Sequence, residues 1–339
     1  MFIKSLIITF SVQIVIAVVV GLIIKFYYGI IRKCLIRYMI MKNVDVKKLP
    51  NYKLMNMCLM VFDGDVDGIK LLLHSKADPD TEYTLEGGNA IYIAAQQNEV
   101  EILKLLLDAK GSTELGNRRH GSTPLTIASN YNSIDSVKLL LEAKADPDKY
   151  HTFCGETPLF IAVARHNYCV FKLLLKHKAN VEMGNLKNGQ TSLFLSVYNN
   201  RFLMANQLIN AGAKMDKVDG NTGMTPLSCA IYNGNIGLVR TLVKAGANIN
   251  MKDANGIMPY TLAEIMDRKE CIEYIKEFKE QKEKEAQDKA LGENCPICIE
   301  PMGDITEMHI TNCYHVFHRD CWTSYETTGN VICPICRSI

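Results

Sequence analysis

Read for hydrophobic and polar positions alone, the chain divides into four stretches of different pattern. The first, Ser5 to Ile24, holds twenty residues without a charge, SLIITFSVQIVIAVVVGLII. A helix of that length spans about 30 Å, the hydrocarbon thickness of a bilayer, with every backbone group bonded internally. A buried core helix would show a polar face, and this stretch has none. A cleaved leader is the alternative, with Val19 and Gly21 small enough for a weak cleavage site, although its apolar run would be shorter, ~7–15 residues. The pattern predicts a single membrane-spanning helix at about 5–24, within an anchor segment reaching residue 50. Only Lys4 precedes the span, whereas Lys25, Arg32, Lys33, Arg37 and Lys42 follow it. That asymmetry places everything after the span in the cytosol.

The second stretch, residues 51–279, repeats itself. Gly121-Ser-Thr-Pro-Leu-Thr-Ile-Ala128 aligns with Gly155-Glu-Thr-Pro-Leu-Phe-Ile-Ala162, with Gly189-Gln-Thr-Ser-Leu-Phe-Leu-Ser196 and with Gly223-Met-Thr-Pro-Leu-Ser-Cys-Ala230, in steps of 34. Weaker copies begin at Gly87 and Gly256. Thr suits the cap of a helix, and Pro suits the first turn, where its missing N–H is not needed. Aliphatic runs such as Leu105–Leu107, Leu139–Leu141 and Leu173–Leu175 follow and predict a second helix that packs back on the first. A unit this small cannot bury its own core, so the units must stack. The third stretch, 280–294, is a linker of alternating charge that reads as a solvated helix or a semi-rigid spacer separating array from C-terminal module.

The fourth stretch changes the picture through its chemistry. Of the twelve cysteines, six fall in the last 45 residues. Cys295-Pro-Ile-Cys298 is followed by Cys313-Tyr-His315, by His318-Arg-Asp-Cys321 and by Cys333-Pro-Ile-Cys336. Six thiols and two imidazoles at this spacing point to metal in a reducing compartment rather than to disulfides. Tetrahedral zinc takes four such ligands, so eight suggest two closed structural Zn2+ sites. The segment has little apolar core, and metal must supply much of its folding energy. The net charge of +2 gives no electrostatic case for nucleic acid. Arg319 and Arg337 are the only arginines of the zinc segment, and no lysine follows Lys289.

The repeats resemble the ankyrin-repeat family, whose signature is T-P-L-H-x-A on a period near 33. The resemblance covers about Leu54 to Lys279 and implies some seven units, the terminal ones degenerate. It implies a mainly α solenoid of helix pairs with β-hairpin tips that binds a substrate protein. Tip positions open to a partner include Arg118, Arg119, His120, Tyr150, His151, Phe153, Asn185 and Lys187. His166 and His177 read as surface residues of helices. Two departures stand out. Family helices end in a glycine, kept at Gly212 and Gly246 but replaced by Lys76, Lys144 and Lys178. A left-handed lysine costs about 1 kcal/mol, which predicts turns of another shape there. The signature His is replaced by Thr126, Phe160, Phe194 or Ser228, which leaves its bonding between repeats unfilled.

The order of the C-terminal ligands resembles the RING-H2 finger, a small α+β fold of the ubiquitin-ligase families, over residues 295–337. The resemblance implies interleaved ligation. Cys295, Cys298, His318 and Cys321 would hold one zinc; Cys313, His315, Cys333 and Cys336 would hold the other. Sequential pairing is the alternative, and His309 stays outside the complete set. RING ligases form no covalent intermediate; they hold a ubiquitin-conjugating enzyme, charged with ubiquitin, in a reactive pose. The family's groove positions fall on Ile297, Trp322, Pro334 and Arg337. Trp322 is the only Trp of the chain, and beside a zinc ligand it reads as an exposed contact ring. The expectation is a membrane-anchored ubiquitin ligase whose array selects the substrate. A tethered adaptor with a purely structural RING is the alternative, and Arg337, which an adaptor does not need, separates the two.

Overall fold

The computed structural model describes residues 57–80, 88–117, 121–329 and 332–337. The expected span at 5–24 lies outside the described residues, as do Arg118, Arg119 and His120. Among the described residues no helix is long and apolar enough to cross a membrane. The chain forms two compact units, divided between Ser192 and Leu193.

Among the described residues there are seven helix pairs, each an inner and an outer helix. The inner helices are α1 (Met57–Phe62), α3 (Ala90–Gln97), α5 (Pro124–Asn130), α7 (Pro158–Ala164), α9 (Ser192–Tyr198), α11 (Pro226–Tyr232) and α13 (Pro259–Ile265). Their outer partners are α2 (Val66–His74), α4 (Val100–Asp108), α6 (Ile134–Glu142), α8 (Tyr168–Lys176), α10 (Phe202–Asn210), α12 (Ile236–Lys244) and α14 (Lys269–Ala290). In the first unit α1, α3, α5 and α7 stack in order, and so do α2, α4, α6 and α8. In the second, α13 packs on α11, α12 on α10 and α14 on α12.

The repeated Thr-Pro does what its chemistry requires. The hydroxyls of Thr123, Thr157 and Thr225 accept the backbone N–H groups of Thr126, Phe160 and Ser228, and proline follows in the first turn of each helix. Met258 stands in the cap position of the last copy and makes no such bond. Between the helices lie fully buried side chains, among them Ile102, Leu106, Leu140, Phe171, Leu174 and Phe194.

The tips contain isolated bridges, Asn117 with Ser122 and Asn185 with Gln190, rather than full strands. Neighbouring tips are joined through the repeated glycines. Leu186 donates to the Gly155 carbonyl at 2.8 Å, and Ala254 donates to that of Gly223 at 2.8 Å. Gly121 adopts φ +65°, and a Cβ there would collide with Thr152 of the next tip. Both facts require glycine at that position.

Bonds between repeats come from residues that the repeat signature does not reveal. Asp80, Glu114, Asp148, Glu182 and Asp216 step by 34. The carboxylates of Asp80, Glu114, Asp148 and Asp216 accept the backbone N–H groups of Ser112, Asp146, Asn180 and Asn248. At the other end of the helices, side chains cap the exposed carbonyls of the preceding inner helix. Asn167 donates to Ser129, Asn233 to Tyr198 and Arg268 to Tyr232, at 2.7, 3.1 and 2.8 Å. The positions lacking the signature histidine bond inside their own repeat, as with Thr126 to the Thr123 carbonyl, or fill the core, as with Phe194.

Two sequence expectations are corrected here. Lys76, Lys144 and Lys178 adopt φ of 55°, 65° and 61°, the same left-handed turn as Gly212 and Gly246. The paired bonds that end each outer helix match, Ala145 to Leu140 and Ala213 to Leu208 among them, so packing of the next residue overrides the local preference. Lys110 is a fourth case, φ 68°. Glycine follows it where the other copies have alanine, and a Cβ on Gly111 would crowd the tip of the Ile91 side chain and the Leu106 carbonyl. His166 also differs from expectation: it sits in a left-handed turn between α7 and α8, φ 59°, rather than within a helix.

Candidate metal centre

The C-terminal module starts on α14. This helix seats Cys271 and Ile275 in the array, while its far end places Ala290 in a second small core with Ala286 packed against it. The charged linker is therefore helical as far as Ala290, and it joins the module to the array instead of spacing it away. Small alanine side chains four residues apart let the module approach that helix face closely. A two-stranded antiparallel sheet follows, β1 (Met308–Ile310) and β2 (Val316–His318), with Met308 opposite His318, and then α15 (Arg319–Thr327).

The eight candidate ligands arrive on four local devices. Cys295 and Cys298 lie in a tight knuckle closed by the Ile299 N–H donating to the Cys295 carbonyl at 2.8 Å. Arg337 closes the Cys333–Cys336 knuckle on the Cys333 carbonyl in the same way, at 2.8 Å. Ile299 and Arg337 both take left-handed φ, 66° and 59°. Strand β2 delivers His318, and the first turn of α15 delivers Cys321. Thr311, unremarked in the sequence, braces the loop of the remaining pair. Its hydroxyl lies 3.0 Å from Cys313 Sγ and accepts the His315 N–H at 3.2 Å.

The ligand atoms gather into two groups, Cys295, Cys298, His318 and Cys321, and Cys313, His315, Cys333 and Cys336, each within 4.8 Å. In this arrangement the first pair meets the third and the second meets the fourth. Both histidines turn Nδ1 toward sulfur, 3.3 Å from Cys298 and 4.0 Å from Cys321 in one group. In the other, His315 lies 3.3 Å from Cys313 and 3.6 Å from Cys333. A tetrahedral zinc with its usual bond lengths separates sulfur from nitrogen by roughly 3.5 Å, so the residues fit that ion.

Electrostatics favour a cation in each group. Burial pushes the Cys295 thiol up, but N–H groups of Cys298, His318 and Ile297 directed at its sulfur bring it down to about 7. Its neighbour Cys321 is pushed up to about 11, by burial and by the nearby sulfurs of Cys298 and Cys295. Burial raises Cys333 likewise. Closely packed thiolates repel one another, and a divalent ion removes that conflict.

Trp322 requires a correction. The ring is 7 % exposed, not open to solvent; it stacks on His309 at 4.9 Å and packs at a tilt against Phe317 at 5.3 Å. The small core around Met302, Met308, Val316 and Phe317 needs a large apolar body, and the tryptophan supplies it. His309 is thereby a stacking partner outside both ligand groups. Of the other predicted contact residues, Ile297 is half-buried against this core, and Pro334 and Arg337 are exposed. The knuckles also expose apolar side chains that residue type and spacing do not mark, Ile299 at 74 % and Ile335 at 47 %.

Residues 54–151, 143–219 and 204–288 match the ankyrin-repeat family, and residues 293–337 match the Ring finger domain. The chain belongs to the ankyrin-repeat proteins and carries a RING finger near its C-terminal end. Among solved structures, the ankyrin repeat domain of Bcl-3 is similar with a TM-score of 0.57 and 24 % identity, over 62 % of this chain and 96 % of that one. An ankyrin repeat domain from Acinetobacter baumannii AYE has a TM-score of 0.51 and 29 % identity, over 54 % and 94 %. Among curated proteins, the E3 ubiquitin-protein ligase RHA2A of Arabidopsis thaliana is 34 % identical over 47 residues, 14 % of this chain and 30 % of that protein.

Proposed function

We propose that this protein is a membrane-anchored ubiquitin ligase. In this reading the RING finger holds a ubiquitin-conjugating enzyme charged with ubiquitin, and the ankyrin array holds the substrate protein. The observation that carries it is the pair of closed Cys3His groups framing knuckles that keep Pro334 and Arg337 at the surface. A closed set of four protein ligands leaves no open coordination position, so the two zinc ions would supply fold rather than reactivity. Ile297 and Pro334 form an apolar seat for the conjugating enzyme, with Trp322 setting the core beneath them. Arg337 would bridge enzyme and ubiquitin. The chemistry asked of the chain is positioning, which restricts the thioester to poses open to a lysine.

The test is chain formation by the zinc-loaded protein with a panel of conjugating enzymes. Ile297→Ala and Arg337→Ala are each expected to lower the rate on the order of tenfold, the effect of removing a central interface contact. A zinc-loaded, folded protein that builds no chain with any enzyme makes the adaptor reading the better one.

Membrane attachment rests on Ser5–Ile24 and the basic residues after it. The full chain is expected to stay with membranes in alkaline carbonate, with the array open to added protease on the cytosolic side. Release into the carbonate supernatant would sink this part of the reading.

A further inference from the structure

The RING finger touches the end of the array at a place where the acidic ladder changes character. At Asp80, Glu114, Asp148 and Asp216 the side chain accepts a backbone N–H from the next repeat. The next position in the same 34-residue step is Asn250, an amide rather than an acid. The repeat that follows it, α13 and α14, offers no such N–H, because α14 runs on as helix to Ala290 where the earlier repeats turn into a tip. Its Nδ2 instead donates to the backbone carbonyl of Asn312, in the loop between β1 and β2, at 3.2 Å. A carboxylate cannot make that bond, since it has no proton to give at neutral pH. The residue type has changed where the partner changed from a donor to an acceptor.

Three further observations place the same loop on the array. Residues Leu193–Ile339 form one compact unit, and α14 contacts both strands of the RING sheet. A cleft of about 890 Å³ is lined from the array by Val243, Ala247, Ile249, Met258 and Phe278 and from the RING loop by Tyr314. The Tyr314 Oη atom is buried and has no hydrogen-bond partner among the described residues. A tyrosine held there against that loss is held by the apolar surface of its ring.

We propose that the RING finger is the terminal cap of the ankyrin array, docked through Asn312–Tyr314 and pinned by the Asn250 amide. An array end needs a cap, because its last unit has no neighbour to cover it. The docked loop carries Cys313 and precedes His315, so the metal group and the array end brace one another. The knuckle side chains Ile299 and Ile335 stay exposed in this pose. If the ligase reading holds, the direction in which ubiquitin is presented is fixed relative to the last repeats.

The experiment is hydrogen exchange on the full, zinc-loaded chain in mild detergent, comparing wild type with Asn250→Asp and Asn250→Ala. Aspartate already occupies equivalent positions at Asp80, Asp148 and Asp216, so the variant keeps the array fold. Asn250→Asp is expected to speed exchange on the order of tenfold at Thr311 and Tyr314 and at Asn250 and Met251, with Asn250→Ala in the same direction and smaller. Amides inside α11, α12 and α15 should keep their wild-type rates, showing that both parts remain folded. Wild-type exchange at Thr311, Tyr314 and Met251 in Asn250→Asp overturns the docking. The readout involves no ubiquitin, so a failed ligase assay leaves this result standing, and a failed docking leaves the ligase reading standing.

Discussion

Chelating zinc, or replacing Cys313 or Cys295 with serine, is expected to unfold the RING finger while most of the array keeps its helices. The reason is the size of its core: Ala290, Met302, Met308, Val316, Phe317 and Trp322 are its buried members besides two ligand cysteines. Such a core does not offset the chain entropy of some 45 residues. Structural zinc contributes about 10–16 kcal/mol in comparable small folds, which exceeds anything the apolar contacts supply. Trp322, the only tryptophan, makes the loss directly visible. Its buried ring should move into water, shifting emission to the red, while the far-ultraviolet helical signal falls only slightly. Unchanged emission after the metal has been shown to leave would contradict the account. The pH dependence follows from the thiols. In the unfolded, metal-free segment the thiols stand at their ordinary value of about 8.5 and largely hold their protons at neutral pH. Binding must release those protons, so zinc affinity rises with pH and falls on acidification.

Replacing Lys76, Lys110, Lys144 and Lys178 together with glycine is expected to stabilise the array. All four lysines hold a left-handed backbone that glycine adopts without strain. The strain is about 1 kcal/mol or more per site, and part of the gain is offset by glycine's extra freedom in the unfolded chain. The four sites lie in separate repeats, so their effects add to about 2–4 kcal/mol. For an array of this size that raises the melting temperature by roughly 5–15 °C. Thermal unfolding of the quadruple variant beside the parent measures it directly. A lower melting temperature would mean that the lysine side chains contribute something that their backbone conformation hides.

These two predictions draw on different kinds of information. The zinc ligands were legible because a ligand set is written in residue type and spacing, which no packing detail alters. The repeats were legible for a similar reason: Thr caps and Pro starts the same turn wherever the copy occurs, as at Thr123, Thr157 and Thr225. Helix-ending lysines were visible as departures, but their conformation was not. Local preference argued against the left-handed turn, and the buried residue that follows, such as Ala145 or Ala179, decided for it.

Trp322 marks the other limit. Sequence shows that a ring is present beside a ligand but not which way the ring faces. Only the assembled core, with His309 stacked on it and Phe317 tilted against it, turns the ring inward and leaves Ile299 and Ile335 outside. The linker shows the same limit at larger scale. Its charges read as a spacer because alternating charge usually faces water on all sides, yet Ala286 and Ala290 lie on one helix face and the RING core closes over them. The sequence by itself determined the repeat period, the helix starts and the eight candidate ligands, because each depends on residues close together or on intrinsic chemistry. Tertiary structure alone decided which ligands share a group, which way Trp322 points and where the RING finger meets the array. Those outcomes depend on contacts between residues distant in the chain, and periodicity carries no record of them.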